Sequence, residues 1–281
     1  MSKQSKMGVL GLLLVLPSFL VLFVIVILPV ALSFKESLTN DSGGYDLSNY
    51  IYLFTDKLMR SNIIFTLTVT IISVGLVLAV SYALAVYMRF NDSAIVRWIQ
   101  KMYMIPIFIP GVIATYGLIR MLGNRGWAAQ FLYQFGVESM PRFIFDMKGI
   151  IIANLWFNIP FTTMLLASAL TAVPNSIIES AKDVGAGMWR IFFNLILPLT
   201  YKTLLVAATF AFMGIIGSFT APFLLGPNAP QMLGVSMQQI FGVFQDRQLA
   251  SALAFFTFFL CSIMGYFYIR EMTKEERGKA T

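Results

Sequence analysis

The chain has 281 residues, of which 58% are apolar and only 12% charged, and its mean hydropathy is +0.78. Soluble domains carry roughly 25% charged residues, so this composition excludes a water-soluble globular fold. With one cysteine and no histidine, the chain lacks the residues for an internal disulfide, a four-thiolate metal site or an imidazole base. The net charge of +7 does not indicate nucleic acid binding, because the basic residues are scattered between apolar runs.

Six apolar runs are long enough for a membrane-spanning helix, which needs about 20 mostly apolar residues. They lie at residues 7–32, 61–88, 102–121, 149–170, 204–225 and 249–269. The first run is too long for the apolar region of a signal peptide, and no small-residue cleavage site follows it. We therefore expect an all-α membrane protein with a tail at 1–6, a six-helix transmembrane domain at 7–269 and a tail at 270–281.

The basic residues predict the orientation of these spans. With both ends of the chain in the cytoplasm, twelve of the twenty lysines and arginines lie on the cytoplasmic side. Cytoplasmic loops of membrane proteins carry an excess of these residues. We therefore expect both termini to be cytoplasmic.

One connection, residues 171–198 between the fourth and fifth runs, has the pattern of a helix, a turn and a second helix. Pro174 suits the first helical turn, and Gly185 and Gly187 flank the predicted break. Pro198 is expected to end the second helix just before the next span. A purely structural hairpin at the membrane interface would show the same local pattern.

The same segment resembles the "EAA" loop in permease subunits of bacterial ATP-binding-cassette (ABC) importers. The family pattern is Glu-Ala-Ala, three residues, Gly, nine residues, Ile, any residue and Leu-Pro. The matching residues are Glu179, Ala181, Gly185, Leu197 and Pro198. Ser180 replaces the second letter and Leu195 replaces the isoleucine, both with residues of similar size. A pattern of several residues at fixed spacing is more specific than a single glycine motif.

The resemblance implies the type I importer permease fold, in a six-helix form with a cytoplasmic coupling-helix loop at 171–198. It also implies that the first short helix of this loop docks in a groove on the ATPase subunit. The residues expected to couple to the ATPase are Glu179, Ser180, Ala181, Asp183, Gly185, Ala186, Leu197 and Pro198. Glu179 is expected to pair with an arginine; the alternative is a solvated carboxylate.

The resemblance further implies a set of partners in the bacterial cytoplasmic (inner) membrane. They are two ABC ATPase subunits, a second permease subunit and an extracytoplasmic substrate-binding protein, and we expect a heterodimer of permeases rather than a homodimer. The chain contains no Gly-x-x-x-x-Gly-Lys-Ser/Thr phosphate-binding loop. We therefore expect a non-catalytic subunit that binds no cofactor, metal or nucleic acid, with ATP and Mg²⁺ in the ATPase.

Polar and aromatic residues inside the spans are candidates for the substrate path. They are Asn154, Trp156, Asn158 and Thr162 in the fourth span and Ser218, Phe219 and Thr220 in the fifth. Asn154 and Asn158 are four residues apart and share one helix face, and Pro160 is expected to interrupt that helix. The alternative is that these amides and hydroxyls only hold helices together.

The substrate class is indicated only by local resemblances. Residues 182–186 resemble the Arg-Asp-Leu-Gly-Ala form of permeases for polyamines, phosphonate, iron and thiamine, and residues 217–226 and 234–241 are similar to the polyamine branch. We expect a small polar solute such as a polyamine-like organic ion, with a sugar as the alternative. A passive channel and a membrane-embedded enzyme are further alternatives. The sequence shows neither a charged filter nor a cluster of acidic residues in the spans.

Overall fold

The computed structural model describes residues 14–40, 42–136 and 141–279. Within these ranges the chain is helical, and its β-structure is a single isolated bridge between Thr39 and Tyr45. The helices are α1 (Leu14–Ser37), α2 (Ser48–Thr55), α3 (Lys57–Phe90), α4 (Ala94–Met102), α5 (Gly111–Leu122), α6 (Trp127–Gln134), α7 (Met147–Thr171), α8 (Asn175–Asp183), α9 (Met188–Ile216), α10 (Thr220–Leu225), α11 (Leu233–Gly242) and α12 (Arg247–Lys279). A short 3-10 helix, Ile105–Phe108, lies between α4 and α5.

In the part of the chain that the structure describes, five helical stretches are long and apolar enough to cross a membrane: α1, α3, α7, α9 and the part of α12 from Arg247 to Glu271. The sixth candidate is a bent pair, Ala94–Phe108 followed by Gly111–Gln134, with an angle of 110° between the two parts. The third apolar run, predicted at 102–121, therefore falls on this bent pair and not on one continuous helix. Pro110 is the N-cap of α5, and Pro106 lies in the 3-10 turn, so neither proline supplies the N–H that a continuous helix needs.

The first span extends further than its apolar run predicts. It continues to Ser37, whereas the run ends at residue 32; the predicted residues 7–13 and the tail at 1–6 lie outside the described ranges. The most apolar stretch of α1 buries none of its side chains within this chain. Such a surface is compatible with lipid, which solvates apolar side chains all round a helix.

The fifth span begins earlier and ends earlier than the predicted 204–225. It is α9, which starts at Met188 and stops at Ile216, and residues 217–219 separate it from the short α10. Pro198 does not end a helix, contrary to expectation, but lies inside α9. A π turn at Phe192–Ile196 precedes it, and the Leu197 N–H donates to the carbonyl of Phe192. This wider turn lets the helix continue past the proline ring, which would clash in a regular α-helix.

The fourth span also runs through its proline. α7 is continuous from Met147 to Thr171, so the expected interruption at Pro160 does not occur. A hydroxyl from the second span, Ser81 Oγ, donates to the neighbouring carbonyl of Ile159 at 3.3 Å. The carbonyl that loses its helical donor at Pro160 is that of Trp156, four residues earlier. Transmembrane helices tolerate such a proline, and the Ser81 contact holds α7 to α3 beside it.

The chain divides into two compact units. The first consists of Met1–Met59 and Met237–Phe258, and the second of Arg60–Ser236 and Phe259–Thr281. In the first unit, the end of α1 is joined to α2 by a hydrogen bond of 2.8 Å between the hydroxyls of Ser37 and Tyr50.

The second unit has a buried apolar cluster that joins α3, α7, α8 and α9. Its members are Tyr82, Ala85, Leu166, Leu170, Val173, Ile178, Ile191, Ile196 and Ala207. Because residues of the 171–198 segment belong to this cluster, the segment packs against the ends of two membrane-spanning helices. It is therefore a fixed part of the second unit.

Candidate functional site

The helix α8, whose last residue is Asp183, is capped by a Schellman motif centred on Gly185. Gly185 has φ +80°, its N–H donates to the carbonyl of Lys182 at 2.8 Å, and the Ala186 N–H donates to the carbonyl of Ala181 at 3.0 Å. This is the pair of hydrogen bonds that defines the motif. Glycine adopts the required left-handed conformation at little cost. The spacing between Ala181 and Gly185 in the sequence pattern therefore corresponds to a helix cap.

One face of α8 is anchored in the buried cluster. Ile178 is only 4% exposed, and Ala181 and Ala186 pack against the same cluster. An apolar contact between the residues on either side of the cap commonly accompanies a Schellman motif. Glu179, Ser180 and Asp183 are exposed on the rest of the helix. The carboxylates of Glu179 and Asp183 are thus available to a partner.

Apolar side chains next to these carboxylates are also exposed. Val184 is 84% exposed and Trp189 is 78% exposed. The Trp189 ring stacks on Phe193 with 6.1 Å between centroids and an angle of 17°. Trp189 also borders an apolar groove of about 630 Å³ between α3 and α9. An exposed apolar patch bordered by charges is typical of a protein or membrane contact.

The sequence-predicted residues Leu197 and Pro198 lie beyond the turn. Leu197 packs against the buried cluster, and Pro198 is exposed on α9. Both residues lie within the helix that forms the fifth span, since α9 runs without a break from Met188 to Ile216. The coupling residues predicted from the sequence therefore form three groups. One is exposed on α8, one forms the helix cap, and Leu197 and Pro198 lie within α9.

Arg89, at the end of α3, is a residue that the sequence analysis missed. Its Nε donates to the carbonyl of Leu170 at 3.3 Å and its Nη2 donates to the carbonyl of Val173 at 3.4 Å. The same Nη2 donates to the side-chain oxygen of Asn175, the first residue of α8. The sequence signal was only that of a basic residue flanking a span.

Two of the predicted path residues lie between helices. Asn154 is 3% exposed, and its amide donates to Ser73 Oγ on α3 at 3.0 Å. Thr162 is buried on the same helix. Asn158 is half-buried, and its amide donates to the carbonyl of Asn154 at 2.8 Å. Asn154 therefore contributes a helix–helix hydrogen bond, whatever else it contacts.

The remaining predicted path residues are more accessible. Trp156 and Phe219 are exposed, and Phe219 stacks on Phe223 with 5.2 Å between centroids. Ser218 and Thr220 are half-buried beside the break between α9 and α10. A Cβ built on Gly214, in the last turn of α9, would lie 3.7 Å from Asn158 Oδ1. The α9–α10 break is thus close to Asn158 on α7.

A buried polar cluster that the sequence analysis also missed holds the segment after α10 against α3. Asn62 accepts from the Gln231 N–H at 2.9 Å and donates to Ser236 Oγ at 3.0 Å. Thr66 accepts from the Leu233 N–H at 2.9 Å. A Cβ at Gly234 would lie 2.5 Å from the Ser218 carbonyl oxygen, so only glycine fits there. The hydrogen bonds hold this segment to α3, and the close approach at Gly234 places it against the backbone of Ser218.

Among the residues that the structure describes, no group of three or more Cys, Asp or Glu side chains is placed to hold a metal ion.

Comparison with known proteins identifies the family. The model of the family "Binding-protein-dependent transport system inner membrane component" matches residues 71–270. The chain is 25% identical to a molybdenum transport system permease protein of Azotobacter vinelandii, over 66% of this chain and 81% of that protein. It is 25% identical to a spermidine/putrescine transport system permease protein of Haemophilus influenzae, over 90% of each. A trehalose/maltose transport system permease protein of Thermococcus litoralis is 26% identical, over 93% of this chain and 92% of that protein.

A solved structure shows the same fold. A chain of a bacterial alginate ABC transporter, crystallised with an alginate pentasaccharide-bound periplasmic protein, superposes with a TM-score of 0.81. The match covers 95% of this chain and 94% of the other at 18% identity. The all-helical fold is therefore that of the type I ABC importer permeases. Since the family model matches more than half of the sequence, the chain belongs to the binding-protein-dependent transport system inner membrane component family and is a multi-pass permease subunit of an ABC importer.

Proposed function

We propose that the 171–198 segment is the surface through which this permease docks on its ATPase and receives the motion that drives transport. The observation that carries the proposal is the capped helix α8, which is anchored through Ile178 and presents Glu179 and Asp183 outward. A docking element must bear force, so it needs a rigid shape and a firm attachment. The Schellman cap at Gly185 supplies the shape and the buried cluster supplies the attachment.

The segment also has a direct route to the membrane-spanning helices. The polypeptide turns at Gly185 and Gly187 and then enters α9, which continues as a span. Ile191 and Ile196, both shortly before Pro198 in α9, are buried in the same cluster as Leu166 and Leu170 of α7. A displacement of α8 would therefore reach α7 and α9 through packed side chains, because close-packed interiors transmit strain.

The partners follow from this role. Two ATPase subunits bind ATP and Mg²⁺, a different permease subunit forms the second half of the pore, and an extracytoplasmic binding protein delivers the solute. α8 and both chain termini lie in the cytoplasm, in agreement with the excess of basic residues on that side. The structural neighbour with a bound periplasmic protein supports an assembly of this kind.

The path for the solute lies along α7 and the α9–α10 break. Trp156, Asn158, Ser218, Phe219 and Thr220 supply aromatic faces, an amide and hydroxyls that are not fully buried in this chain. Asn154 and Thr162 are buried and support the path, and Asn154 holds α7 to α3 through its hydrogen bond with Ser73. Discontinuous helices with a few polar groups are common at transporter binding sites.

We favour a polyamine-like organic ion as the solute. The resemblance of residues 182–186 to the polyamine branch and the relative that transports spermidine and putrescine support this choice. Exposed aromatic rings at Trp156 and Phe219 can hold an organic cation by cation–π contacts. A sugar is the second candidate, because the trehalose/maltose relative matches over a similar length and aromatic rings also stack on sugars.

Two measurements test these proposals. A tagged form of this chain, coexpressed with the ATPase and second permease encoded nearest to it, should be recovered with both. Recovery of an active chain without an ATPase would contradict the docking role. Uptake of radiolabelled spermidine, maltose and molybdate by cells that express the complete system then tests the substrate class. Saturable, ATP-dependent uptake of maltose or molybdate alone would overturn the preference for a polyamine.

A further inference from the structure

Arg89 occupies a junction between three helices. It lies in the last turn of α3, and its guanidinium reaches the end of α7 and the start of α8. The carbonyls at the C-terminal end of an α-helix have no partner within that helix. Arg89 donates to one such carbonyl, that of Leu170 in the last turn of α7, and to the carbonyl of Val173 in the connection to α8. A positive charge is also favourable at this end of the helix dipole.

The contact with Asn175 gives this junction a second role. Asn175 is the first residue of α8, and its side-chain oxygen accepts from Arg89 Nη2. The guanidinium is planar and always charged, so it holds acceptors from two helices in a fixed relation. The Arg89 side chain also lies over the Phe90 ring, at 5.9 Å from its centroid. Its position is thus fixed on α3 as well.

Packing alone attaches α8 chiefly through one face. Ile178 and Ala181 contact the buried cluster, and an apolar contact of this kind resists separation more than sliding or rocking. The hydrogen bonds of Arg89 are directional and come from a different helix, α3. They oppose the rotation of α8 about the Ile178 contact.

α3 and α7 are joined at two further levels. Asn154 donates to Ser73 Oγ at 3.0 Å, and Ser81 Oγ donates to the carbonyl of Ile159 at 3.3 Å. With Arg89 at their ends, the two helices are connected at three positions along their length. A force on α8 that reached α3 would therefore move α3 and α7 as one body.

We propose that Arg89 is a positioning residue for coupling: it holds α8 to the end of α3, so that movement of the ATPase displaces the second and fourth spans together. This inference rests on the docking function proposed above. It assigns to Arg89 neither a contact with the ATPase nor one with the solute. Arg89→Ala removes the tie to α3, whereas docking still depends on the exposed face of α8.

The test uses the full complex in lipid nanodiscs, with Cys261→Ala and nitroxide labels on cysteines introduced at Asn91, just beyond α3, and Lys182, exposed on α8. Distances between the labels are measured by pulsed electron paramagnetic resonance without nucleotide and after trapping with ATP and vanadate. In the parent complex the distance should be the same in both states. In Arg89→Ala it should match the parent at rest and shift by about 2 Å on trapping, the upper end of helix shifts in coupled transitions.

Arg97→Ala is the matched control. This arginine follows α3 by only a few residues and pairs with Asp92 at 2.9 Å, with side chains 60% and 92% exposed. Exposed ion pairs contribute little to stability, so this variant should behave as the parent. Asn175→Ala leaves the hydrogen bonds from Arg89 to the Leu170 and Val173 carbonyls in place and should reproduce the shift. Asn175→Asp should keep the parent distance, because a carboxylate accepts the same hydrogen bond.

An unchanged distance in trapped Arg89→Ala would overturn the inference while leaving the docking function intact. If the complex with Arg89→Ala does not assemble, the label distance in trapped Asn175→Ala decides: a shift supports the inference, and an unchanged distance overturns it. The parent complex shows separately whether the docking function holds: if it retains no ATPase on purification, the docking function fails, and this inference fails with it.

Discussion

Ala186 donates its backbone N–H to the carbonyl of Ala181 at 3.0 Å, across a turn whose centre is Gly185 with φ +80°. This bond closes the helix that we assign to ATPase docking. It places a conformational demand on one residue, since a side chain at Gly185 would be strained even though a Cβ there meets no atom within 4 Å. The backbone conformation, and not a lack of space for a side chain, therefore restricts position 185 to glycine.

Gly185→Val should therefore impair coupling without preventing membrane insertion. The left-handed conformation costs an ordinary residue about 1–2 kcal/mol, and a β-branched side chain more. We expect less uptake in reconstituted vesicles, together with either loss of the ATPase or ATP hydrolysis without uptake.

Gly187→Ser is the matched control for this change, because Gly187 has φ −68° and open space around its Cβ position, and it is the N-cap of α9, where serine is at least as favourable as glycine. Its effect should be within about 0.5 kcal/mol on the stability of the complex. Normal transport by Gly185→Val, or an equal defect in both variants, would refute the role of the left-handed turn.

Replacing Asn154 and Trp156 separates support of the path from contact with the solute. Asn154→Ala leaves Ser73 without its donor between two buried helix faces, so we expect a loss of about 1–2 kcal/mol in stability. Trp156 is exposed, and Trp156→Ala should leave thermal stability unchanged while raising the KM for uptake.

The thermal unfolding midpoint of the detergent-solubilised chain and uptake kinetics check this contrast. A double-mutant cycle with Ser73→Ala tests the contact itself, since the effects of two residues that bond only each other are not additive. Additive effects of Ser73→Ala and Asn154→Ala, or unfolding of Trp156→Ala at a lower temperature, would argue against the assignment.

The loop between α1 and α2 should be sensitive to acid. Hydrogen bonds from the Ser48 hydroxyl, the Asn40 amide and the Ser48 N–H hold the pKa of the Asp46 carboxyl below its ordinary value. A lowered pKa in the folded state means that the contribution to loop stability is complete above the unfolded pKa of about 3.9. That contribution is lost as the pH falls through the lower folded pKa.

Amide hydrogen exchange at Ser48, corrected for the intrinsic effect of pH, measures this loss. Protection should fall below about pH 4 in the parent chain, and Asp46→Ala should show low protection that does not vary with pH. Identical profiles for the two chains would show that the Asp46 carboxylate does not order the loop.

The sequence predicted the features that depend on neighbours along the chain. The spacing of Ala181 and Gly185 encodes a cap whose hydrogen bonds span only five residues, so the turn could be located before the structure was known. The prolines were harder to interpret. Pro106 and Pro110 break the third apolar run, whereas Pro160 and Pro198 lie inside continuous helices. At Pro198 the helix continues because a π turn precedes the proline, and hydropathy does not record such a turn.

Contacts between distant residues could not be predicted in this way. Arg89 and Leu170 are 81 residues apart, and Asn62 and Ser236 are 174 residues apart. Each residue alone has an ordinary local explanation, as a membrane-flanking cation or a polar residue in a helix. Only the packing of α3 against later parts of the chain brings them together.

Site-specific crosslinking between α8 and the ATPase tests whether α8 is the docking helix. Single cysteines replace Ser180, exposed on α8, and Ser42, in the loop between α1 and α2, in a Cys261→Ala background. A short bifunctional reagent that joins cysteine to lysine is then added to the purified complex. We expect a crosslink to the ATPase from position 180 and none from position 42. A crosslink from position 42, or none from position 180 in a complex that retains its ATPase, would contradict docking through α8.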